Sequence, residues 1–169
     1  MIIKHSGQRV GILIDVANLY HSAKNLYSAR VNFGEILKQA VSKRNLIRVF
    51  AYVVRTKTGE EKPFFEALTK LGIETRIKDL QEFYGGQKKA DWDVGIVIDA
   101  IRMAPSVDVI VLASGDGDFI SLIEYLKNQG KRTEVMAFGR SASSHLKEVT
   151  DEFIDLEKYP QKFLLKSNK

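Results

Sequence analysis

Apolar positions along this chain fall into short blocks, and their period switches between two kinds. Val10-Gly-Ile-Leu-Ile-Asp15 is an unbroken apolar run ending in an acid, too short for a helix, and reads as a fully buried strand. Val31 to Ser42 places Phe33, Ile36, Leu37, Ala40 and Val41 at helical spacing. Ile47 to Val54 is β-branched and aromatic, hence a strand. Lys62 to Leu71 reads as a helix opened by Pro63 and ended by Gly72, and Ile73 to Ile77 as a short strand. Asp79 to Lys89 is expected to be irregular or a hairpin around Gly85-Gly86. A helix follows over Trp92 to Met103, closed by Pro105, and then the clearest strand, Val107 to Ala113. Asp118 to Gln129 is an amphipathic helix stopped by Gly130, Thr133 to Phe138 a strand, Ser141 to Val149 a helix and Phe153 to Leu156 a last short strand.

Strands that alternate with helices predict an α/β fold: a three-layer α/β/α sandwich with a mostly parallel central sheet. The 169 residues suit one domain with one core, expected over residues 1–157. Residues 158–169 form a basic C-terminal segment, with Lys158, Lys162, Lys166 and Lys169 around Phe163-Leu164-Leu165, docked on the domain with a frayed tip.

Composition narrows the chemistry. There is no cysteine, which removes disulfides, thiolate catalysis and Cys-ligated metal. No run approaches the ~18 apolar residues of a membrane span, so a cytoplasmic protein with no membrane partner is expected. Lys and Arg number 26 against 21 Asp and Glu, a net charge of +5 that suits a phosphate-rich partner. His5, His21 and His145 have no zinc-ligand spacing. There is no nucleophile elbow, no phosphate-binding P-loop and no dinucleotide-binding glycine fingerprint after the first strand.

The acids carry the remaining signal. In open α/β sheets, ligands bind outside the carboxyl ends of the strands. One such end carries Asp15, with Asn18 three residues on; another runs into Ser114-Gly115-Asp116-Gly117-Asp118. A third group, Asp91-Trp92-Asp93, opens a helix, with Asp99 six residues beyond Asp93. Acids at a helix start also cap free N–H groups, a reading that suits Asp91 well and Asp118 partly. It suits Asp15 poorly, because a carboxylate ending an apolar strand is partly desolvated. Carboxylates crowded together repel unless a cation joins them, and hard oxygen ligands without cysteine select Mg²⁺ or Mn²⁺. Such an ion within a basic surface suits phosphodiester hydrolysis.

These motifs resemble those of NYN domains, the PIN-like nucleases. Asp15-Val16-Ala17-Asn18 is similar to their "D-x-x-N" opening, and Asp91-Trp92-Asp93-Val94 with Asp99 to their central acidic segment. Ser114-Gly115-Asp116-Gly117-Asp118-Phe119 is similar to "S-G-D-x-D-F", and Phe138 to Leu156 resembles the end of the LabA-like branch. Where many relatives carry Lys-Gly before the central motif, this chain has Lys88-Lys89-Ala90. The resemblance implies a PIN-like fold and a Mg²⁺- or Mn²⁺-dependent ribonuclease acting on RNA, in single-stranded form, with Asp15, Asp93, Asp116 and Asp118 as metal ligands and catalytic acids. Asp118 completes the shell, binds a second ion or orients the attacking water.

Asn18, Ser114, Asp91 and Asp99 are the expected supporting residues, and Lys88, Lys89, Trp92 and Arg140 the candidate substrate contacts. Pairing into a homodimer stays open. So do two other functions: a metal-, RNA- or nucleotide-binding module without turnover, and a Mg²⁺-dependent phosphatase prompted by Asp116-x-Asp118. A phosphatase of that kind places its acid pair early and directly at a strand end, whereas here Ser114-Gly115 intervene. A phosphoaspartate receiver is disfavoured because Asp15 stands without a second acid beside it.

Overall fold

A computed structural model describes residues 3–82, 88–89 and 91–166. Six parallel strands form the central sheet: β1 (Arg9–Asp15), β3 (Asn45–Arg55), β4 (Glu74–Asp79), β7 (Val109–Ala113), β8 (Arg132–Ala137) and β9 (Glu152–Asp155). Their spatial order is β4-β3-β1-β7-β8-β9. The chain builds outward from β1 through β3 to β4, crosses back over the sheet, and builds outward again from β7. That reversal places a topological switch point between β1 and β7, where strand ends splay and leave a crevice.

Helices cover both faces. One core packs α1 (Val16–Tyr27), α2 (Phe33–Val41) and α3 (Lys62–Lys70) against Ile12, Ile14, Val49, Ala51 and Val111. The other packs α4 (Asp93–Met103), α5 (Ile120–Asn128) and α6 (Ser144–Val149) against Leu13, Phe50, Tyr52, Ile110 and Leu112. Alternate residues of β1 thus feed opposite cores, and Val10, Ile12, Leu13 and Ile14 are fully buried. The α/β/α sandwich with a parallel sheet expected from the sequence is the observed one.

Helix α1 has no counterpart in the apolar pattern. Its buried positions, Val16, Leu19, Ser22 and Ala23, have helical spacing but include a serine, and Asn18 sits among them. The helix starts because the Asp15 side chain caps it and stops where Ser28 turns left-handed, at φ 50. Gly72 (φ +83) and Gly130 (φ +78) end the stretches holding α3 and α5, as the sequence suggests.

Two small antiparallel pairs complete the fold. Between Asp79 and Lys89, β5 (Gln81–Glu82) pairs with β6 (Lys88–Lys89); Gly85-Gly86 lie outside the described residues. After β9 the chain forms α7 (Pro160–Phe163) and β10 (Leu164–Leu165), which pairs with β2 (Arg30–Val31) and buries Phe163.

Candidate metal centre

Asp15 ends β1 at the switch point and caps α1, its Oδ1 accepting the Asn18 N–H at 3.3 Å. Its Oδ2 accepts the Ser114 hydroxyl at 2.9 Å. Ser114 Oγ in turn accepts the Asp116 N–H at 3.2 Å, and Asn18 Oδ1 accepts the Gly115 N–H at 2.9 Å. Asp15 and Asn18 therefore hold the turn after β7 from across the crevice. The turn is tight on its far side too: a Cβ on Gly115 would lie 2.9 Å from Ala142 Cα, a backbone contact that only glycine avoids.

This turn delivers the other acids. Asp116 Oδ1 accepts the Asp118 N–H at 2.9 Å, opening a single 3₁₀ turn over Gly117–Phe119. Asp93 is the first residue of α4, and its N–H donates to Asp91 Oδ1 at 2.7 Å. Helix α4 crosses the sheet at the switch point, so its N-terminus meets the β7 turn. Carboxylate oxygens of Asp93, Asp116 and Asp118 lie within 4.8 Å of one another. Oxygens on one hard ion sit roughly 2.0–2.6 Å from it, hence at most about 5 Å apart, so this donor set fits Mg²⁺ or Mn²⁺.

The electrostatics fit the same ion. The Asp93 carboxyl is pushed up to about 7 by burial first, then by the charges of Asp91 and Asp116, its hydrogen bond with Asp91, and the charge of Asp15. Burial also raises Asp15; the bonds from Ser114 and Asn18 pull it partly back, while Asp116 and Asp91 add repulsion. Acids held this way gain from a cation.

Asp15 is not among the three converging acids. It stands behind them, with both oxygens engaged by Asn18 and Ser114. Asp91 sits one residue before the N-cap position, which Trp92 occupies, and its side chain accepts the first N–H of α4. Asp99 lies apart from the cluster: buried, it accepts the Tyr52 hydroxyl at 2.9 Å and Arg76 Nε at 3.2 Å. Trp92 Nε1 donates to the Val53 carbonyl at 2.9 Å, its ring meets Tyr52 edge-on, and Lys78 Nζ sits 4.4 Å from its centre. This indole anchors the start of α4 to β3. Lys88 and Lys89 fall in β6, and their side chains lie outside the described residues. Arg140 follows β8 and is bonded to Glu157 at 2.7 Å. Tyr52, Arg76 and Glu157 escaped the sequence reading because each is remote in sequence from the residue it holds.

A six-stranded parallel α/β/α sandwich with carboxylates gathered at its switch point is the architecture of the PIN-like fold. A model of the NYN domain family matches residues 9–157. The Low amplitude and bright protein LabA of Synechococcus elongatus is 32% identical, over 66% of this chain and 63% of that protein. The chain thus spans less than two thirds of that relative's length. The solved structure of a Vibrio parahaemolyticus protein of unknown function has a TM-score of 0.86 at 30% identity, covering 97% of this chain and 100% of that one. The chain belongs to the NYN domain family and is LabA-like. Among the described residues no helix is long and apolar enough to cross a membrane.

Proposed function

We propose that the chain is a Mg²⁺- or Mn²⁺-dependent ribonuclease that hydrolyses phosphodiester bonds in single-stranded RNA. The observation that carries this reading is the convergence of Asp93, Asp116 and Asp118 within 4.8 Å in a nuclease-like family. These three residues would hold the ion. Bound there, it supplies positive charge for the phosphoryl oxygens and makes water a better nucleophile at neutral pH. Asp118, the exposed member, would complete the shell, bind a second ion or orient the incoming water. Asp15, through Ser114, keeps the Asp116 turn in position, and Asn18 locks the same turn at Gly115. The absence of cysteine goes with a cytoplasmic setting.

A second reading, a metal- and RNA-binding module without turnover, draws on Asp15, whose two oxygens are both engaged by protein donors. Incubating highly purified protein with end-labelled single-stranded RNA, once with Mn²⁺ and once with a chelator, separates the two. The nuclease reading expects metal-dependent fragments at multiple turnovers. Tight, metal-dependent binding without fragments would favour the module.

A further inference from the structure

Arg140 lies in the loop after β8, and that loop packs directly on the acid-bearing turn. The Ser143 N–H donates to the Gly115 carbonyl at 2.9 Å, and Ser141 Oγ donates to Ser22 Oγ on α1 at 2.8 Å. A Cβ on Gly115 would touch Ala142 Cα, two residues from Arg140. With consecutive Cα atoms 3.8 Å apart, Arg140 starts within roughly 12 Å of the turn. A single strand covers that span in a few nucleotides.

The side chain is held in a fixed pose. Glu157 Oε1 accepts the Arg140 backbone N–H at 2.7 Å, and Oε2 accepts Arg140 Nε at 2.7 Å. The Tyr27 hydroxyl donates to the same Oε2 at 2.7 Å, and the guanidinium carbon lies 5.5 Å from the centre of the Tyr27 ring. The carboxylate takes Arg140 by Nε alone, and the Arg140 side chain stays 63% exposed while that of Glu157 is 13% exposed. Here the backing groups come from α1 and from the segment after β9, and most of the Arg140 side chain stays open to solvent. A guanidinium held in one pose yet largely exposed can offer its remaining N–H donors to a phosphate and gives up little side-chain entropy on binding.

We infer that Arg140, oriented by Glu157 and Tyr27, is a preset phosphate clamp that grips the backbone of a single-stranded nucleic acid a few nucleotides from the acid cluster. Glu157 and Tyr27 are positioning residues. The inference rests on the reading of the cluster as a nucleic-acid site.

The test is binding of the full chain to a short 2′-O-methyl oligoribonucleotide, which resists cleavage, with Mg²⁺ over a salt series. Arg140→Gln weakens binding by about tenfold, the scale of a hydrogen bond to a charged group, and lowers the slope of log affinity against log salt by about one. Arg140→Lys keeps most of that slope yet weakens binding severalfold, because it lacks the planar guanidinium. Glu157→Gln is the decisive variant. It removes a negative charge, so electrostatics alone would tighten binding; loss of the Arg140 pose weakens it, by roughly threefold. Tyr27→Phe, which keeps the ring, weakens it less. Thermal melts of each variant confirm folding at the assay temperature. Arg140→Gln binding like the parent, or Glu157→Gln binding more tightly, overturns the clamp while leaving the nuclease reading intact. A parent that binds no oligonucleotide overturns both. An Arg140 effect that persists in a protein unable to cleave RNA supports the clamp and removes only the nuclease reading.

Discussion

The Ser114 hydroxyl donates to Asp15 Oδ2 at 2.9 Å, joining the ends of two neighbouring strands across the switch point. Ser114 Oγ also accepts the Asp116 N–H, so a single buried hydroxyl links the acid at the back of the site to one at its front. Replacing Ser114 by Ala strips Asp15 of a donor and the Asp116 turn of an acceptor. Thermal or urea unfolding should show a loss of about 1–3 kcal/mol, the cost of an unsatisfied buried polar group. Cleavage should fall by roughly ten- to hundredfold through misplacement of the acids. Parent-like stability and rate would mean that Ser114 only fills space.

The raised Asp93 carboxyl sets a pH dependence of stability. Its ordinary value is 3.8 and its folded value about 7, so between them the folded chain holds a proton that the unfolded chain has released. The contribution of this group is therefore largest at low pH and is lost as pH rises through about 7. The site is partly open to solvent, which moderates the size of the effect. In chelator, the melting temperature should drop between about pH 5 and about pH 8 more steeply for the parent than for Asp93→Asn. Added Mn²⁺ should reverse the drop at the upper end by binding the folded form. Parallel profiles for the two proteins, or no response to Mn²⁺, would contradict this.

Gly95 and Gly11 test the placement of α4. A Cβ on Gly95 would lie 2.6 Å from Trp92 Cε3, on a ring tied to the Val53 carbonyl. A Cβ on Gly11 would collide with the side chain of Met103, at the other end of the helix. Both alanine variants should lose about 1–3 kcal/mol in urea unfolding, the usual cost of overpacking. Calorimetric titration with Mn²⁺ should distinguish them. Gly95→Ala shifts Asp93 and weakens the metal; Gly11→Ala, cushioned by a flexible thioether, leaves affinity nearly unchanged.

Asp99 separates family motif from local chemistry. Its bonds go to Tyr52 and Arg76 rather than to the acid cluster. Burial and the bond to Asp99 together hold the Tyr52 phenol far above its ordinary value. Asp99→Asn should cost about 1–3 kcal/mol in unfolding experiments, because a buried charged hydrogen bond is weakened. Mn²⁺ affinity should stay within about twofold of the parent, since no contact to the cluster is lost. A large drop in affinity at unchanged stability would place Asp99 in the site.

Much of this was legible in the chain. Runs such as Val10 to Asp15 and Val107 to Ala113 can be little but buried strands, and their alternation with amphipathic segments leads to a parallel sheet. Helix α1 was not legible, because Asn18 and Ser22 interrupt its apolar face and its start depends on a side-chain cap. The candidate acids were legible as strand-end and helix-start residues. Their division of labour was not. Asp15, which strand-end reasoning favours as a ligand, engages Asn18 and Ser114, while Asp118, whose helix-start position partly suits a cap, joins Asp93 and Asp116. Spacing along the chain gives which residues reach a sheet edge; which oxygens meet there depends on hydrogen bonds made across 97 and 99 residues.

The account turns on Asp116, which lies in the converging triad and caps the turn that carries Asp118. The most direct measurement is the single-turnover rate of single-stranded RNA cleavage in Mn²⁺ for the parent and for Asp116→Asn, with circular dichroism and melting curves to establish that both are folded. The amide keeps the size of the side chain and an oxygen to accept the Asp118 N–H, while removing the charge that binds the metal. The prediction is a folded variant whose cleavage falls by at least about a hundredfold, ~2.7 kcal/mol of transition-state stabilisation. A folded Asp116→Asn that cleaves as fast as the parent would contradict the account.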